Sequence, residues 1–239
     1  LNWGADAIYD VVDQKLEFRS HYKMPAPQLE TENCVAHNGS IIPVPGRDIF
    51  VQAWYQGGIS IIDFTDSAKP IEIAYFDRGP IKEKELITGG YWSVYYYEGS
   101  IYGTEITRGL DTFKLIPSEY LTKNEIAAAK LAYPSIGSRR LFNPQQQIPM
   151  TWPSEPEVAL AYLDQLSRDK ILEDKTIENI IKILDRVDSA MKRGGNNRLS
   201  KQIERIDLNM DDPKFKGATK HRIQKLNSTL KEIAQKLKR

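Results

Sequence analysis

The chain has 239 residues, 33 Lys and Arg against 32 Asp and Glu, 41% hydrophobic residues and a single cysteine. That length fits one large domain or two modest ones. Near-neutral charge excludes polyelectrolyte character for the chain as a whole, and Cys34 alone excludes an intrachain disulfide or a cysteine-rich zinc site.

The charge is uneven. Residues 1–154 carry fourteen basic and eighteen acidic side chains, and residues 155–239 carry nineteen and fourteen. Such asymmetry marks two physically different modules. No apolar run reaches the ~18–20 residues of a membrane-spanning helix, so no transmembrane segment is expected. The chain opens on Leu1 in what reads as mid-strand sequence, which points to a processed or truncated chain.

In chain order, two short strand-like runs come first, at 7–12 and 16–22, and then a Pro-rich connection, MPAPQLETEN, that cannot hold regular sheet pairing. Residues 37–78 form the most complete unit. Strands are expected at 34–44, 48–54, 58–64 and 71–76, with turns at Gly57-Gly58 and at Asp66-Ser67-Ala68-Lys69-Pro70. A second copy runs from Gly90 to about Leu115, with Gly109 in the place of Gly58. A period of roughly fifty residues with several short strands per repeat predicts a propeller-type array. The second copy lacks a fourth strand and passes into IPSEYLTKNEIAAAKLAY, where Thr122-x-x-Glu125 predicts a capping box.

Residues 134–153 read as an irregular linker. Ser154-x-x-Glu157 predicts a second capping box, with Pro156 in the first turn. From there the pattern is helical. Val158, Ala161, Tyr162 and Leu166 share a face, and Ile177, Ile180, Ile181, Leu184, Val187 and Met191 form a stripe ending before Gly194-Gly195. Leu199, Ile203 and Ile206 make a shorter stripe. Ile223, Leu226, Leu230, Ile233 and Leu237 repeat at alternating three- and four-residue spacing. Four helices, each with one apolar face, are expected.

DIFVQAWYQGGISIIDFTDSAKPIEIAYFDR, residues 48–78, is similar to the repeat of LVIVD-repeat proteins. In that repeat a hydrophobic strand ending in Asp precedes an S/T-D-x-x-x-P turn and an outer strand; Asp63, Asp66 and Pro70 occupy those places. GGYWSVYYYEGSIYGTEITRGLDTFKL resembles the terminal blade of secreted bacterial members. The resemblance covers roughly residues 1–130. It implies a seven-bladed type of β-propeller, often exported, with an extracellular or periplasmic location and no established common activity.

The expected architecture is therefore an incomplete propeller, about two and a half blades, in residues 1–130. A linker (131–153) and an all-α helical extension (154–239) follow. Missing N-terminal blades of the same protein are the implied partners. In a propeller, ligands enter at the axial end, which nominates Glu32, Asn33, His37 and Asn38 from one entry and Trp92 with Ser93 from the next. Glu105, Arg108 and Asp111 lie close to the second. His37 with Glu32 and Glu105 offers a nitrogen and two carboxylates for a divalent metal. The bland alternative is that the buried polar groups are satisfied structurally, that Asp63 and Asp66 bond their own turns, and that Arg108 pairs with Glu105 or with a neighbouring blade.

No Walker loop, dinucleotide fingerprint or nucleophile elbow is present. The favoured function is a non-catalytic binding or scaffold module, with a protein or a cell-surface polymer as partner. One alternative is a metal-dependent propeller enzyme, hydrolase or oxidoreductase, centred near His37. Another is binding of an anionic surface by residues 216–239, where eight Lys and Arg face Glu232 alone. No aromatics interleave those charges, which does not suggest nucleic acid. The tyrosines and tryptophan of 91–97 read as packing before they read as a sugar or peptide groove.

Overall fold

The computed structural model of the chain describes residues 4–135, 148–208, 213 and 215–238. Two compact units are present, one of residues 1–116 with 134–150 and one of residues 117–133 with 151–239.

The first unit is built of antiparallel strands. Strands β1 (Asp6–Val12) and β2 (Lys15–Tyr22) pair as a hairpin. A four-stranded meander follows: β3 (Gly39–Ile42), β4 (Ile49–Ala53), β5 (Ile59–Asp63) and β6 (Ile71–Phe76). Its central strand reads Ile-Ser-Ile-Ile-Asp without alternation because it is covered on both faces; Ile59 to Ile62 are all buried. The connection from β4 to β5 reverses at Gly58, whose φ is +81°. A Cβ there would stand 2.0 Å from the Phe76 carbonyl oxygen, so only glycine fits. A three-stranded meander, β7 (Tyr91–Tyr97), β8 (Ser100–Glu105) and β9 (Gly109–Phe113), packs β7 against β3 and β4. The Ser40 hydroxyl accepts the Tyr96 amide at 2.8 Å across that junction.

The turn aspartates behave as structural groups. Asp63 accepts the Thr65 amide at 2.9 Å, and Asp66 accepts the Ala68 amide at 3.1 Å. Asp63 also meets Arg47 Nη2 at 2.5 Å, a cation the sequence did not connect to it.

The expected propeller is not formed. The described strands make four separate antiparallel sheets of two to four strands, the fourth being the short pair β10 (Tyr133–Pro134) and β11 (Met150–Thr151). None closes or curls on itself. A ring requires radial repetition of complete sheets; here one four-stranded sheet stands between a two-stranded and a three-stranded one, and the chain beyond Ile116 is mostly helical. The repeat in the sequence encodes similar meanders, not closure. Most of the expected linker, residues 136–147, lies outside the described residues.

The second unit is helical: α1 (Lys123–Leu131), α2 (Pro156–Arg168), α3 (Asp174–Leu184), α4 (Val187–Lys192), α5 (Asn197–Glu204) and α6 (Gly217–Lys236). The Thr122–Glu125 capping box is present in both directions. The one expected at Ser154 is not: Glu155 is the N-cap of α2 and makes no side-chain cap bond, while the Ser154 hydroxyl donates to Glu232 instead. The stripe from Ile177 to Met191 is split into α3 and α4. Ile177, Ile180, Leu184 and Val187 still face one core, together with Leu163, Leu166, Leu199, Ile203, Ile223, Leu226, Leu230 and Leu237. Among the described residues no helix is long and apolar enough to cross a membrane.

Candidate functional site

Of the nominated residues, His37, Asn38, Trp92 and Ser93 come together where the four-stranded and three-stranded sheets of the first unit meet, not around the axis of a ring. Residues 37 and 38 precede β3 but are already tied to β4. His37 donates its amide to the Ala53 carbonyl at 2.9 Å, Ala53 returns an amide to the Asn38 carbonyl at 3.0 Å, and Gln52 Nε2 donates to the His37 carbonyl at 2.7 Å. With its amide nitrogen on two carbonyls, Gln52 is buried without penalty.

The other wall starts at Gly90. Tyr91 donates its amide to the Tyr55 carbonyl at 2.8 Å, an isolated bridge that links the β4–β5 turn to β7. Gly90 approaches so closely that a Cβ would fall 1.9 Å from the Tyr55 carbonyl carbon. Tyr55 itself has φ +50°, a left-handed conformation costing an L-residue roughly 1–2 kcal/mol. Strain of this kind persists where the surroundings over-determine it.

This backbone brings three rings together. The centroids of His37 and Trp92 are 4.4 Å apart and those of His37 and Tyr55 4.8 Å; Tyr55 and Trp92 meet edge to face at 5.9 Å. Trp92 is 50% exposed, and His37 and Tyr55 are half-buried. His37 Nδ1 lies 2.5 Å from the Trp92 carbonyl oxygen. A carbonyl only accepts, so Nδ1 carries the hydrogen and Nε2 of the neutral ring keeps its lone pair. Asn38 Nδ2 donates to Ser93 Oγ at 3.4 Å.

The remaining nominees are committed to the scaffold. Glu32 is buried and accepts the Leu29 amide at 3.0 Å. Asn33 accepts the Val35 amide through Oδ1 and the Gln56 amide through its carbonyl. Glu105 is buried and accepts the Gly90 amide at 2.6 Å as well as the Thr107 amide and hydroxyl. Arg108 is exposed on the β8–β9 turn. Of its two expected partners, Glu105 spends its oxygens on Gly90 and Thr107, and the Arg108 charge bears on Asp111 of the same meander. Asp111 accepts from Tyr91 Oη at 2.6 Å and from Arg78 at 2.7 Å, and these bonds hold its carboxyl below the usual carboxylate range.

His37, Glu32 and Glu105 therefore do not assemble a metal site. Among the described residues no group of three His, Cys, Asp or Glu side chains could hold a metal ion. Cys34 is buried, and burial pushes its thiol up to about 12, which makes it inert as a nucleophile at neutral pH.

Two site residues escaped the sequence reading. Tyr55 stands in Tyr-Gln-Gly-Gly, and an aromatic residue inside a glycine turn was the available signal. Gln56 is buried beside it. Its Oε1 accepts the Ile81 amide at 3.0 Å and its Nε2 donates to the Ile87 carbonyl at 2.8 Å, pinning both ends of the charged loop 82–86. In residues 91–97, Tyr91 and Tyr96 are buried as expected for packing, but Trp92 is not.

The basic C-terminal segment is partly neutralised within its own unit. Arg222 pairs with Asp169 at 2.6 Å, Lys236 with Glu155 at 2.9 Å and Lys238 with Glu204 at 2.7 Å.

Comparison with known proteins gives no matching protein-family model, no matching curated protein and no matching solved structure. The class of the protein rests on its own geometry: a module of small antiparallel meanders joined to a helical unit, with a half-exposed aromatic cluster on the former.

Proposed function

We propose that the chain is a non-catalytic binding module of an exported protein and that ligand is engaged by His37, Tyr55 and Trp92. One observation carries this reading: three rings are gathered at a sheet junction by a strained tyrosine and a glycine that admits no side chain, and one of them is half exposed. Aromatic surface with a few fixed polar groups is the composition of a ligand site. The carboxylates that acid–base or metal chemistry would use are tied to backbone amides instead. What supports export is the similarity of residues 48–78 to the LVIVD repeat alone.

The test compares wild type with Trp92→Ala for binding to a mixed panel of glycans, peptides and polyanions. Binding that is lost in the variant, with unchanged unfolding midpoint, is the expected result. Reproducible hydrolytic or redox turnover that disappears on His37→Ala or Glu105→Gln overturns it.

A further inference from the structure

We infer that the ligand taken by the His37–Tyr55–Trp92 cluster is a neutral carbohydrate, with a sugar ring on the exposed face of Trp92 and a ring hydroxyl donating to His37 Nε2. The inference rests on the binding reading above and gives it a chemical class. It starts from charge. The side chains gathered at the cluster are His37, Asn38, Tyr55, Trp92 and Ser93, with no carboxylate, lysine or arginine among them. Glu105, the carboxylate tied to this wall through the Gly90 amide, is buried and also bonds the Thr107 amide and hydroxyl, so its oxygens are spent within the scaffold.

Geometry narrows it further. Tyr55 and Trp92 are set at 82°, and both contact His37 closely, so the rings form a packed corner, not an open cage around a cation. The half-exposed member of the corner is Trp92, with His37, Asn38 and Ser93 as its polar neighbours. The carbon–hydrogen face of a pyranose matches an aromatic face, whose π cloud is negative at its centre. A hydroxyl both donates and accepts. With Nδ1 donating to the Trp92 carbonyl, Nε2 of the neutral ring is an acceptor, and the Asn38 amide, which donates to Ser93 Oγ at 3.4 Å, supplies both roles beside it. An apolar peptide would leave those polar groups unanswered, and a polyanion would find no lysine or arginine among them.

The experiment titrates cellohexaose, maltohexaose, xylohexaose and mannohexaose against the full chain by calorimetry, with heparin and an apolar decapeptide as the other classes. At least one hexasaccharide is expected to bind with a Kd below about 1 mM. Trp92→Ala should weaken it by more than about tenfold, equivalent to one lost stacking contact. His37→Asn keeps a donor toward the Trp92 carbonyl but removes Nε2, and is expected to weaken binding by about tenfold. Absence of any hexasaccharide binding at that level overturns the inference. If heparin or the peptide binds instead and is lost in Trp92→Ala, the carbohydrate class falls while the binding reading stands. Hexasaccharide binding indifferent to both variants places the sugar elsewhere and removes the site itself.

Discussion

Arg47 Nη2 lies 2.5 Å from Asp63 Oδ2, and the arginine side chain is only 4% exposed. Asp63 spends its other oxygen on the Thr65 amide and hydroxyl. One buried cation thus ties the β3–β4 turn to the end of β5. Removing one partner of such a pair leaves an uncompensated buried charge, so Arg47→Met is expected to destabilise the chain by about 3 kcal/mol. The urea midpoint measures it, and the Arg47→Met, Asp63→Asn double variant should recover part of the loss.

Two aspartates of the first unit predict opposite responses to pH. Burial alone would raise the Asp63 carboxyl, but Arg47 and the Thr65 bonds outweigh it and hold the group below its ordinary value. Its contribution is present above the unfolded carboxylate range and is lost as pH falls toward the lowered native value. Asp6 is the reverse. Burial pushes it up to about 6 from 3.8. Its contribution is complete below pH 3.8 and is lost as pH rises through about 6, by about 1–2 kcal/mol after allowing for its partial exposure. Unfolding midpoints from pH 4 to 7 should therefore fall less in Asp6→Asn than in wild type, whereas Asp63→Asn should flatten the loss on the acid side.

Gly90 and Gly109 separate two costs of a side chain. Both have φ above +90°, but a Cβ on Gly90 would strike the Tyr55 backbone, whereas one on Gly109 meets nothing within 4 Å. Gly109→Ala should cost about 1–2 kcal/mol from conformation alone. Gly90→Ala adds overpacking and should reach about 3–4 kcal/mol. It should also disturb the indole environment of Trp92, which fluorescence or tryptophan NMR detects.

In the helical unit, Glu125 is fully buried, caps α1 and accepts Arg168 at 2.5 Å. Glu125→Ala removes both the reciprocal cap and the buried pair, for an expected loss of about 3 kcal/mol in thermal or urea unfolding. Thr122→Ala should cost about 1 kcal/mol or more, since its hydroxyl also donates to Asp164 at 2.6 Å.

Helix α6 carries both the basic charge and core side chains. Ile223, Leu226, Leu230 and Ile233 are all buried. Deleting residues 216–239 would therefore strip the core as well as the charge. Replacing exposed Lys220, Lys225 and Lys231 by Gln isolates the charge and should leave stability within about 0.5 kcal/mol per site. Leu230→Ala should cost about 2–5 kcal/mol. If anionic surfaces are bound through this helix, heparin or anionic-vesicle affinity drops in the triple Lys variant and not in Leu230→Ala folded at low temperature.

The local elements were legible from short stretches of sequence. Alternating apolar residues between glycine, proline and aspartate turns specified the meanders, because strand pattern and turn chemistry are read over a few neighbours. The Thr122–Glu125 cap and the buried stripe of α6 follow from the same short range. Tertiary structure decided the rest. A repeated meander encodes no ring, since closure depends on how many sheets stack and how each meets the next. Whether Glu105 was a ligand or a scaffold acceptor depended on the Gly90 amide, fifteen residues away. The imidazole of His37 took its tautomer and its neighbours from Trp92, fifty-five residues on. Contacts at that separation are set by packing between sheets, and no local pattern carries them.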